Sequence, residues 1–121
     1  MSPEDIRKLY AGGQREFLNL QLEDGADMKN CRLENARFNN CFLFSINLQN
    51  ANLRNTIFQK CNLKCSDFTG ADLSNATIEA CSVEAAMFKN SITANIIFSD
   101  NDYYGTTLNQ QDFDKLKEPN I

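Results

Sequence analysis

Large apolar residues recur every five positions along most of this chain. The series runs without a break from Met28 to Phe88 and, after Thr93, resumes from Phe98 to Phe113. Its first members are Met28, Leu33, Phe38, Leu43, Leu48, Leu53, Phe58, Leu63, Phe68, Leu73, Ile78, Val83 and Phe88. A five-residue step on an α-helix leaves successive side chains about 140° apart, and on a straight strand it alternates them between faces. The pattern therefore excludes both a long helix and a continuous strand.

Two further positions keep the same period. The residue two before each large one is small, with Ile46 and Ile96 as exceptions: Ala26, Cys31, Ala36, Cys41, Ala51, Thr56, Cys61, Ser66, Ala71, Ala76, Cys81, Ala86 and Ser91. The residue two after is often Asn or Gly, which tolerate the left-handed conformation of a tight corner. These positions are Asn30, Asn35, Asn40, Asn50, Asn55, Gly70, Asn75, Asn90, Asn95 and Gly105. The pattern predicts short extended segments joined by corners, stacked into a solenoid that buries its apolar side.

Three segments spell out a consensus: Ala51-Asn52-Leu53, Cys61-Asn62-Leu63 and Ala71-Asp72-Leu73. They resemble the A-(D/N)-L-X-X units of the pentapeptide-repeat family, and the resemblance covers roughly residues 15 to 113. It implies an all-β fold, a right-handed quadrilateral parallel β-helix with about four to five coils and four pentapeptides per coil. Residues twenty apart would then stack in columns, one of which reads Met28, Leu48, Phe68, Phe88, Leu108.

Both ends of the repeat carry signals of their own. Ser2 is placed to cap a helix that begins at Pro3, and Gly12-Gly13 would end it. The step from Leu22 to Met28 is six residues, which predicts a bulge at a corner near Glu23-Asp24-Gly25. We therefore divide the chain into an N-terminal capping helix (1–14), a pentapeptide-repeat β-helix (15–108) and a C-terminal cap or tail (109–121) with a short helix. We expect residues 118–121 to be frayed.

Five cysteines and no histidine limit the available chemistry. Cys41, Cys61 and Cys81 are twenty apart and should form one column inside the coil, where free cysteine packs as a small apolar residue. A disulfide is sterically conceivable there, but we favour packing. Cys61 and Cys65 have a permitted zinc-ligand spacing, yet one points inward and the other lies at a corner, so we expect neither a metal nor a cofactor. Cys65 is the candidate reactive thiol.

The same absence of histidine argues against an enzyme. No ordinary Ser-His or Cys-His nucleophile can be built, and Asp67 and Asp72 occupy positions that the repeat pattern already explains. The chain start lacks the basic and apolar regions of a secretion signal, and no apolar run is long enough for a membrane span. We expect a cytoplasmic protein with reduced thiols and no membrane contact.

Apolar residues at outward positions are candidates for protein contacts. Phe42 and Phe44 flank the inward Leu43, and Ile57, Met87, Ile92 and Ile97 also fall on outward sites. The alternative is that a terminal helix or a bent corner of the same chain covers them.

Charge separates the remaining functional classes. Residues 26–105 carry eight acidic and seven basic side chains, which leaves them one charge negative. Some members of the family resembled act as DNA mimics toward type II topoisomerases, which requires a strongly acidic surface, so this alternative is disfavoured. Direct nucleic-acid binding is disfavoured too, because the net charge is −4. Six of the seven basic groups lie in residues 26–65 and six of the eight acidic groups in residues 66–105. This segregation would orient a partner or favour self-contact. The alternative, which we favour, is a chance distribution on a solvated surface.

The sequence thus predicts a non-enzymatic scaffold that mediates protein–protein interaction, as a monomer or weak homodimer with an unknown protein partner. The resemblance implies a bacterial, and specifically cyanobacterial, setting, because some cyanobacterial relatives look like regulators acting by protein contact, including in heterocyst patterning. The alternatives are the topoisomerase-directed DNA mimic and a thiol-based redox sensor that rests on Cys65.

Overall fold

The chain forms a parallel β-solenoid of about four turns, closed by a helix at one end and by a hairpin with a short helix at the other. The computed structural model describes residues 1–117, and residues 118–121, for which we predicted fraying, lie outside the described residues. The five-residue period predicted a solenoid and the family resemblance implied a quadrilateral parallel β-helix, and this fold is confirmed.

One side of the solenoid, named face 1, is a five-stranded parallel sheet in which each strand comes from a successive coil. Its strands are β1 (Glu16–Leu18), β2 (Arg37–Asn39), β3 (Ile57–Gln59), β4 (Thr77–Glu79) and β5 (Ile97–Ser99). The central residue of each strand points inward, so the core side of face 1 is a ladder of Phe17, Phe38, Phe58, Ile78 and Phe98.

The other three sides are held by single parallel bridges between coils. Face 2 is defined by Gln21, Phe42, Asn62, Ser82 and Asp102, face 3 by Asp27, Asn47, Asp67 and Met87, and face 4 by Arg32, Asn52, Asp72 and Ile92. Each of these residues points outward beside an inward large residue, as the alternation of a strand requires.

Left-handed backbone makes every corner. Each fifth residue from Asn30 to Asp100 has a φ between 54° and 72°. Most of these residues are Asn or Gly, but Lys60, Cys65 and Ala80 adopt the same conformation without a favourable side chain. Stacking against the coils on either side therefore imposes the corner even where the local sequence does not favour it.

The Asp or Asn of the repeat consensus has a local structural role. Asn52 Oδ1 accepts a hydrogen bond from the Arg54 N–H at 3.2 Å, and Asp72 Oδ1 accepts one from the Ser74 N–H at 3.0 Å. The same two-residue bond recurs from Asn62 to the Lys64 N–H at 3.0 Å. An acceptor at this position satisfies a backbone donor that the ladder between coils leaves unpaired, which explains why the consensus has Asp or Asn there.

The interior is a continuous stack of apolar side chains. The ring centroid of Phe38 lies 5.0 Å from that of Phe17 and 5.4 Å from that of Phe58, both in stacked geometry. The rings of Phe68 and Phe88 also stack, with their centroids 4.9 Å apart. Fully burying one such side chain contributes about 1.5–3 kcal/mol relative to leaving it exposed. The core is therefore filled from coil to coil.

The predicted helix α1 spans Pro3–Ala11 and covers the N-terminal end. Ser2 Oγ accepts from the Asp5 N–H at 3.2 Å while the Asp5 carboxylate accepts from the Ser2 N–H at 3.1 Å, a reciprocal capping box. Ile6 is buried against the core, and the Tyr10 hydroxyl donates to the Glu34 carbonyl at 2.8 Å. Neither helix in the described part of the chain has the length and apolar character to cross a membrane.

The extra residue between Leu22 and Met28 forms the predicted bulge. Gln21 bridges to Phe42, and the Gly25 N–H donates to the Phe44 carbonyl, so Glu23 and Asp24 together lie opposite Phe44. Gly25 has a φ of 71° and makes the corner that follows.

The C-terminal end departs from the predicted column that includes Leu108. Parallel pairing ends at the bridge from Ser82 to Asp102, and β6 (Asn101–Tyr103) then pairs antiparallel with β7 (Thr106–Leu108). The left-handed Tyr104 and Gly105, with φ of 52° and 83°, make a two-residue turn that reverses the chain. The prediction that Leu108 stacks on Phe88 was wrong, because this turn carries Leu108 back beside Asn101.

A 3₁₀ turn (Gln110–Asp112) and helix α2 (Phe113–Lys117) complete the C-terminal cap. Phe113 is buried with its ring 5.3 Å from Phe88 and 5.0 Å from Phe98, so it closes the top of the core. The Gln110 amide accepts from the Phe98 N–H at 2.9 Å and donates to the Ile96 carbonyl at 3.0 Å. This side chain thus takes the place of a sixth strand on face 1.

Gly70 tests how tightly the corners are stacked. It has a φ of 72°, and a Cβ added there would collide with the Asn50 side-chain oxygen from the coil below. We expect Gly70→Ala to lower the free energy of unfolding by about 2–3 kcal/mol, from left-handed strain plus the displaced Asn50. Denaturant unfolding measures this loss.

The matched control is Gly25→Ala, which has a φ of 71° but open space around the added Cβ. It carries the strain alone and should cost about 1 kcal/mol. Equal losses in the two variants would show that contact with Asn50 does not restrict this corner.

Candidate functional site

Phe42 and Phe44 form an aromatic pair on the outside of face 2. Their ring centroids are 6.1 Å apart and stacked, and both side chains are partly buried. They flank the inward Leu43, so they point away from the core, and neither is among the residues packed against it. The pair is an outward apolar feature that the filling of the solenoid does not require.

The other predicted contact residues do not join this pair. Ile57 and Ile97 lie on face 1, separated by Thr77, and Met87 lies on face 3. Ile57 is partly buried, whereas Met87 and Ile97 are 47% and 53% exposed. The five candidates therefore occupy three faces, and only Phe42 and Phe44 are brought together.

Other apolar side chains are also exposed. Ile92 on face 4 is 53% exposed, Leu18 at the end of β1 is 57% exposed and Tyr104 in the hairpin turn is 69% exposed. The sequence pattern had already placed Ile92 on an outward site. Leu18 and Tyr104 were missed, although each directly follows a residue of the inward series, Phe17 or Tyr103, and so occupies an outward position of the repeat. Met87, Ile92 and Ile97 lie on three different faces of the last coil, so they do not form one patch.

Charged residues border the aromatic pair on both sides along face 2. Glu23 and Asp24 lie on the coil below, and Lys64 lies on the coil above. The Lys64 ammonium is 3.2 Å from the Glu84 carboxylate, one coil further up. From the N-terminal to the C-terminal end, face 2 therefore reads acidic, aromatic, basic, acidic.

Glu84 anchors the hairpin at the top of this face. Its carboxylate accepts from the Tyr104 N–H at 3.0 Å. Burial acts to raise the pKa of Glu84, but the bonds from Tyr104, Asp102 and Lys64 together hold it below its ordinary value. The hydrogen bond to Glu84 in turn raises the pKa of Asp102. The carboxylate of Glu84 is committed to structure and is not a free acid or base.

Three buried cysteines follow one corner of the core as predicted, and Asn101 ends their column. The Cys61 thiol donates to the Phe38 carbonyl at 3.4 Å and its backbone N–H points at the Cys81 sulfur at 3.5 Å. At the top, the Asn101 side chain accepts from the Cys81 N–H and donates to the Ile78 carbonyl, both at 2.9 Å. A small side chain that both donates and accepts is useful at this corner, and cysteine provides one. All five cysteines are free thiols.

Cys31 and Cys65 have opposite surroundings. Cys31 is buried in a different column, with Ala51 and Ala71 above it, and burial raises its pKa from 9.0 to about 11. Cys65 is exposed at a left-handed corner between faces 2 and 3. Cys61 points into the core while Cys65 faces solvent, so the two do not converge.

The carboxylates of Asp67 and Asp72 accept hydrogen bonds within the repeat, as the sequence pattern suggested. Asp67 accepts from the Thr69 N–H at 2.9 Å and from the Gln49 amide, and Asp72 accepts from the Ser74 N–H at 3.0 Å. Burial opposes but does not outweigh these bonds, which lower the pKa of both carboxyls. Among residues 1–117, no three histidine, cysteine or acidic side chains lie together as metal ligands would.

Two open grooves flank the C-terminal cap. One, of about 320 Å³, is lined by Tyr103, Leu108 and α2, and the other, of about 310 Å³, lies between Thr93 and Phe113. An apolar void of about 20 Å³ lies in the interior beside Ile6. The two grooves are therefore at the C-terminal end of the solenoid rather than on its faces.

Comparisons with known proteins agree on the architecture. A sequence profile of the pentapeptide repeat region matches residues 31–108. Among solved structures, a pentapeptide repeat protein (Rfr23) from the cyanobacterium Cyanothece 51142 has a TM-score of 0.68 and 24% identity, over 73% of this chain and 60% of that one. QnrB1, a plasmid-mediated fluoroquinolone resistance protein, has a TM-score of 0.60 and 19% identity, over 71% of this chain and 50% of that one.

A pentapeptide repeat protein from the thylakoid lumen of Arabidopsis thaliana has a TM-score of 0.50 and 14% identity, over 84% of this chain and 74% of that one. These likenesses show the fold. The chain spans 60% and 50% of the lengths of the first two structures. No curated protein sequence matches it.

The burial of the cysteines predicts their reactivity. We expect one thiol, Cys65, to react rapidly with a thiol reagent in the native protein, because the other four are buried. Mass spectrometry of the labelled protein counts the modified sites, and Cys65→Ser should abolish the rapid phase. Rapid labelling of Cys41, Cys61 or Cys81 would contradict the buried column.

The raised pKa of Cys31 predicts a pH dependence of stability. Between pH 9 and about pH 11 the folded thiol keeps its proton while the unfolded thiol loses it, so the free energy of unfolding falls as the pH rises. A pKa raised from 9.0 to about 11 corresponds to a loss of about 3 kcal/mol from this residue. Chemical unfolding at several pH values measures the slope.

Cys31→Ala isolates this contribution, because Ala51 and Ala71 show that alanine fits the same column. The variant should lose less stability than the native chain over the same pH interval. Parallel curves for the two proteins would exclude the Cys31 thiol as a source of the pH dependence.

Proposed function

Because the chain belongs to the pentapeptide repeat family, we propose that it is a non-enzymatic scaffold that acts by binding other proteins through its outward faces. Apolar side chains fill the solenoid interior along its length, so a binding partner has to contact the outer surface. Among the outward residues, the Phe42–Phe44 pair supports the proposal best. Aromatic side chains supply large contact area at low entropic cost and are frequent at the centres of protein interfaces.

The chemistry of the exposed groups favours binding over catalysis. The sequence has no histidine, the Asp67 and Asp72 carboxylates accept backbone hydrogen bonds, and Glu84 is paired with Lys64. The grooves beside the C-terminal cap contain Asp112, Lys115 and Asp114 but no nucleophile next to a base. The redox-sensor alternative rests on the single exposed thiol of Cys65, which supports it only weakly.

Charge distribution favours a protein partner over mimicry of DNA. A duplex mimic needs a continuous acidic surface. Here Lys64 interrupts face 2, Arg37 lies on face 1 and Arg54 lies on face 4 beside Asp72 at 3.9 Å. The proposed location is the cytoplasm, a reducing compartment in which the thiols of the buried column stay reduced.

A capture experiment tests the scaffold proposal. The purified chain and its Phe42→Ser/Phe44→Ser variant are each used as bait in a lysate of the source organism. We expect a specific protein to be retained by the native chain and lost by the variant, with affinity reduced about 30-fold or more, because truncating interface aromatics typically costs about 2 kcal/mol or more.

Met87→Ser/Ile97→Ser is the matched control, since it removes two exposed apolar side chains from faces 3 and 1. Retention of the partner by this control assigns the contact to face 2. Circular dichroism checks that both variants fold. An unfolded Phe42→Ser/Phe44→Ser variant, or a native chain that retains nothing, would overturn the assignment of this pair to a partner.

A further inference from the structure

We propose that face 2 binds a second copy of this chain, with the two solenoids antiparallel and the Phe42–Phe44 pairs in contact at a twofold axis. This inference rests on the proposed function, because it takes the aromatic pair as a contact surface, and it names the partner. The pair is outward and self-stacked at 6.1 Å, and neither ring is among the side chains packed against the core.

Face 2 can be read as a series of rungs, one from each coil. Rung one is Gln21–Glu23, rung two is 42–44, rung three is 62–64 and rung four is 82–84. Neighbouring rungs are about 4.8 Å apart, so rungs one and three lie at equal distances from the aromatic rung. A twofold axis along rung two therefore places rung one of each copy opposite rung three of the other.

The charges on those two rungs are complementary under this operation. The axis preserves position along the rung, so Glu23 faces Lys64 and Gln21 faces Asn62. Each contact occurs twice, as a twofold interface requires. Glu23 is exposed, and the Lys64 side chain is 43% exposed although it also lies 3.2 Å from Glu84. Lys64 is thereby held on the face with donors still available.

Other arrangements of the same two faces are less favourable. Moving the axis half a rung toward the C-terminal end sets Glu23 opposite Glu84, a contact between like charges. Moving it half a rung the other way leaves both Glu23 and Lys64 without an opposite charge. Parallel solenoids place Glu23 against Gln21 and Lys64 against Asn62. Of these arrangements, only the antiparallel one centred on rung two brings the two aromatic pairs into contact and also sets Glu23 opposite Lys64.

The size of the patch sets the expected strength. Four rungs cover about 15 Å along the solenoid, and a three-residue rung is about 10 Å wide. The patch is far smaller than the roughly 800 Å² that each partner buries in a standard interface, so we expect a weak, concentration-dependent and salt-sensitive dimer.

A charge-exchange experiment tests both the occupant and its orientation. Sedimentation equilibrium is run on the native chain, on Glu23→Lys, on Lys64→Glu and on an equimolar mixture of the two variants, from about 10 μM to about 1 mM at low salt. The native chain should dimerise, and each variant alone should associate at least about tenfold more weakly, because two attractive contacts become repulsive. The mixture should regain the dimer, since both of its contacts again join opposite charges.

Two control variants carry the same charge changes on other faces. Glu16→Lys lies on face 1 and Lys29→Glu on face 3, and both should dimerise like the native chain. If Lys64→Glu fails to fold, the comparison of Glu23→Lys with Glu16→Lys decides the question alone. Native-like association of Glu23→Lys, or no recovery in a mixture of folded variants, would overturn the arrangement.

The capture experiment separates this inference from the proposed function. A native chain that stays monomeric up to about 1 mM excludes the dimer, and a lysate protein lost with Phe42→Ser/Phe44→Ser would then still support a scaffold. A dimer without any captured protein would support self-association and leave the scaffold for other proteins unsupported.

Discussion

Backbone hydrogen bonding between coils is the constraint on which this structure depends. The Leu53 N–H donates upward to the Asp72 carbonyl and the Asn52 N–H donates downward to the Cys31 carbonyl, each at 2.9 Å. Every coil thus needs neighbours whose donors and acceptors are in register, and this fixes the length of each coil at twenty residues. The extra residue lies in the first coil, where the Glu23-Asp24 bulge has a neighbouring coil on one side alone.

The same constraint explains why the two ends are built differently. An open coil presents unpaired N–H and C=O groups, which invite another strand. At the N-terminal end, the Met1 ammonium donates to the Gln21 carbonyl and the Glu23 N–H donates to the Met1 carbonyl, both at 3.1 Å. At the C-terminal end, the Gln110 amide accepts from the Phe98 N–H and donates to the Ile96 carbonyl, two backbone groups at the open edge of face 1. Both ends therefore have backbone groups that are already paired, which hinders stacking of a further coil on either end.

Freedom at outward positions is what allows a filled solenoid to acquire specificity. Inward residues are restricted to small and large apolar side chains, and corners to left-handed backbone, but the residues beside each inward one do not have to fill the core. On face 2 these positions hold an aromatic pair between Glu23 and Lys64. The fold places these residues at equal steps on successive coils of face 2. A local sequence pattern of charged and aromatic residues thereby becomes a continuous surface.

The five-residue period determined the solenoid, its inward residues and the cysteine column, because the interior imposes the same size at every repeat. Ser2, Pro3 and Gly12-Gly13 likewise determined the bounds of α1, since caps act locally. The sequence also located the bulge. The tertiary structure decided how the chain ends, because the Tyr104-Gly105 turn differs little in composition from a repeat corner, yet it reverses the chain and removes Leu108 from its column. The two-residue spacing of Phe42 and Phe44 had already placed them on the same side of one strand. The tertiary structure decided that Ile57, Met87 and Ile97 lie apart from this pair, because outward positions are not selected by packing and an outward residue has neighbours from other coils.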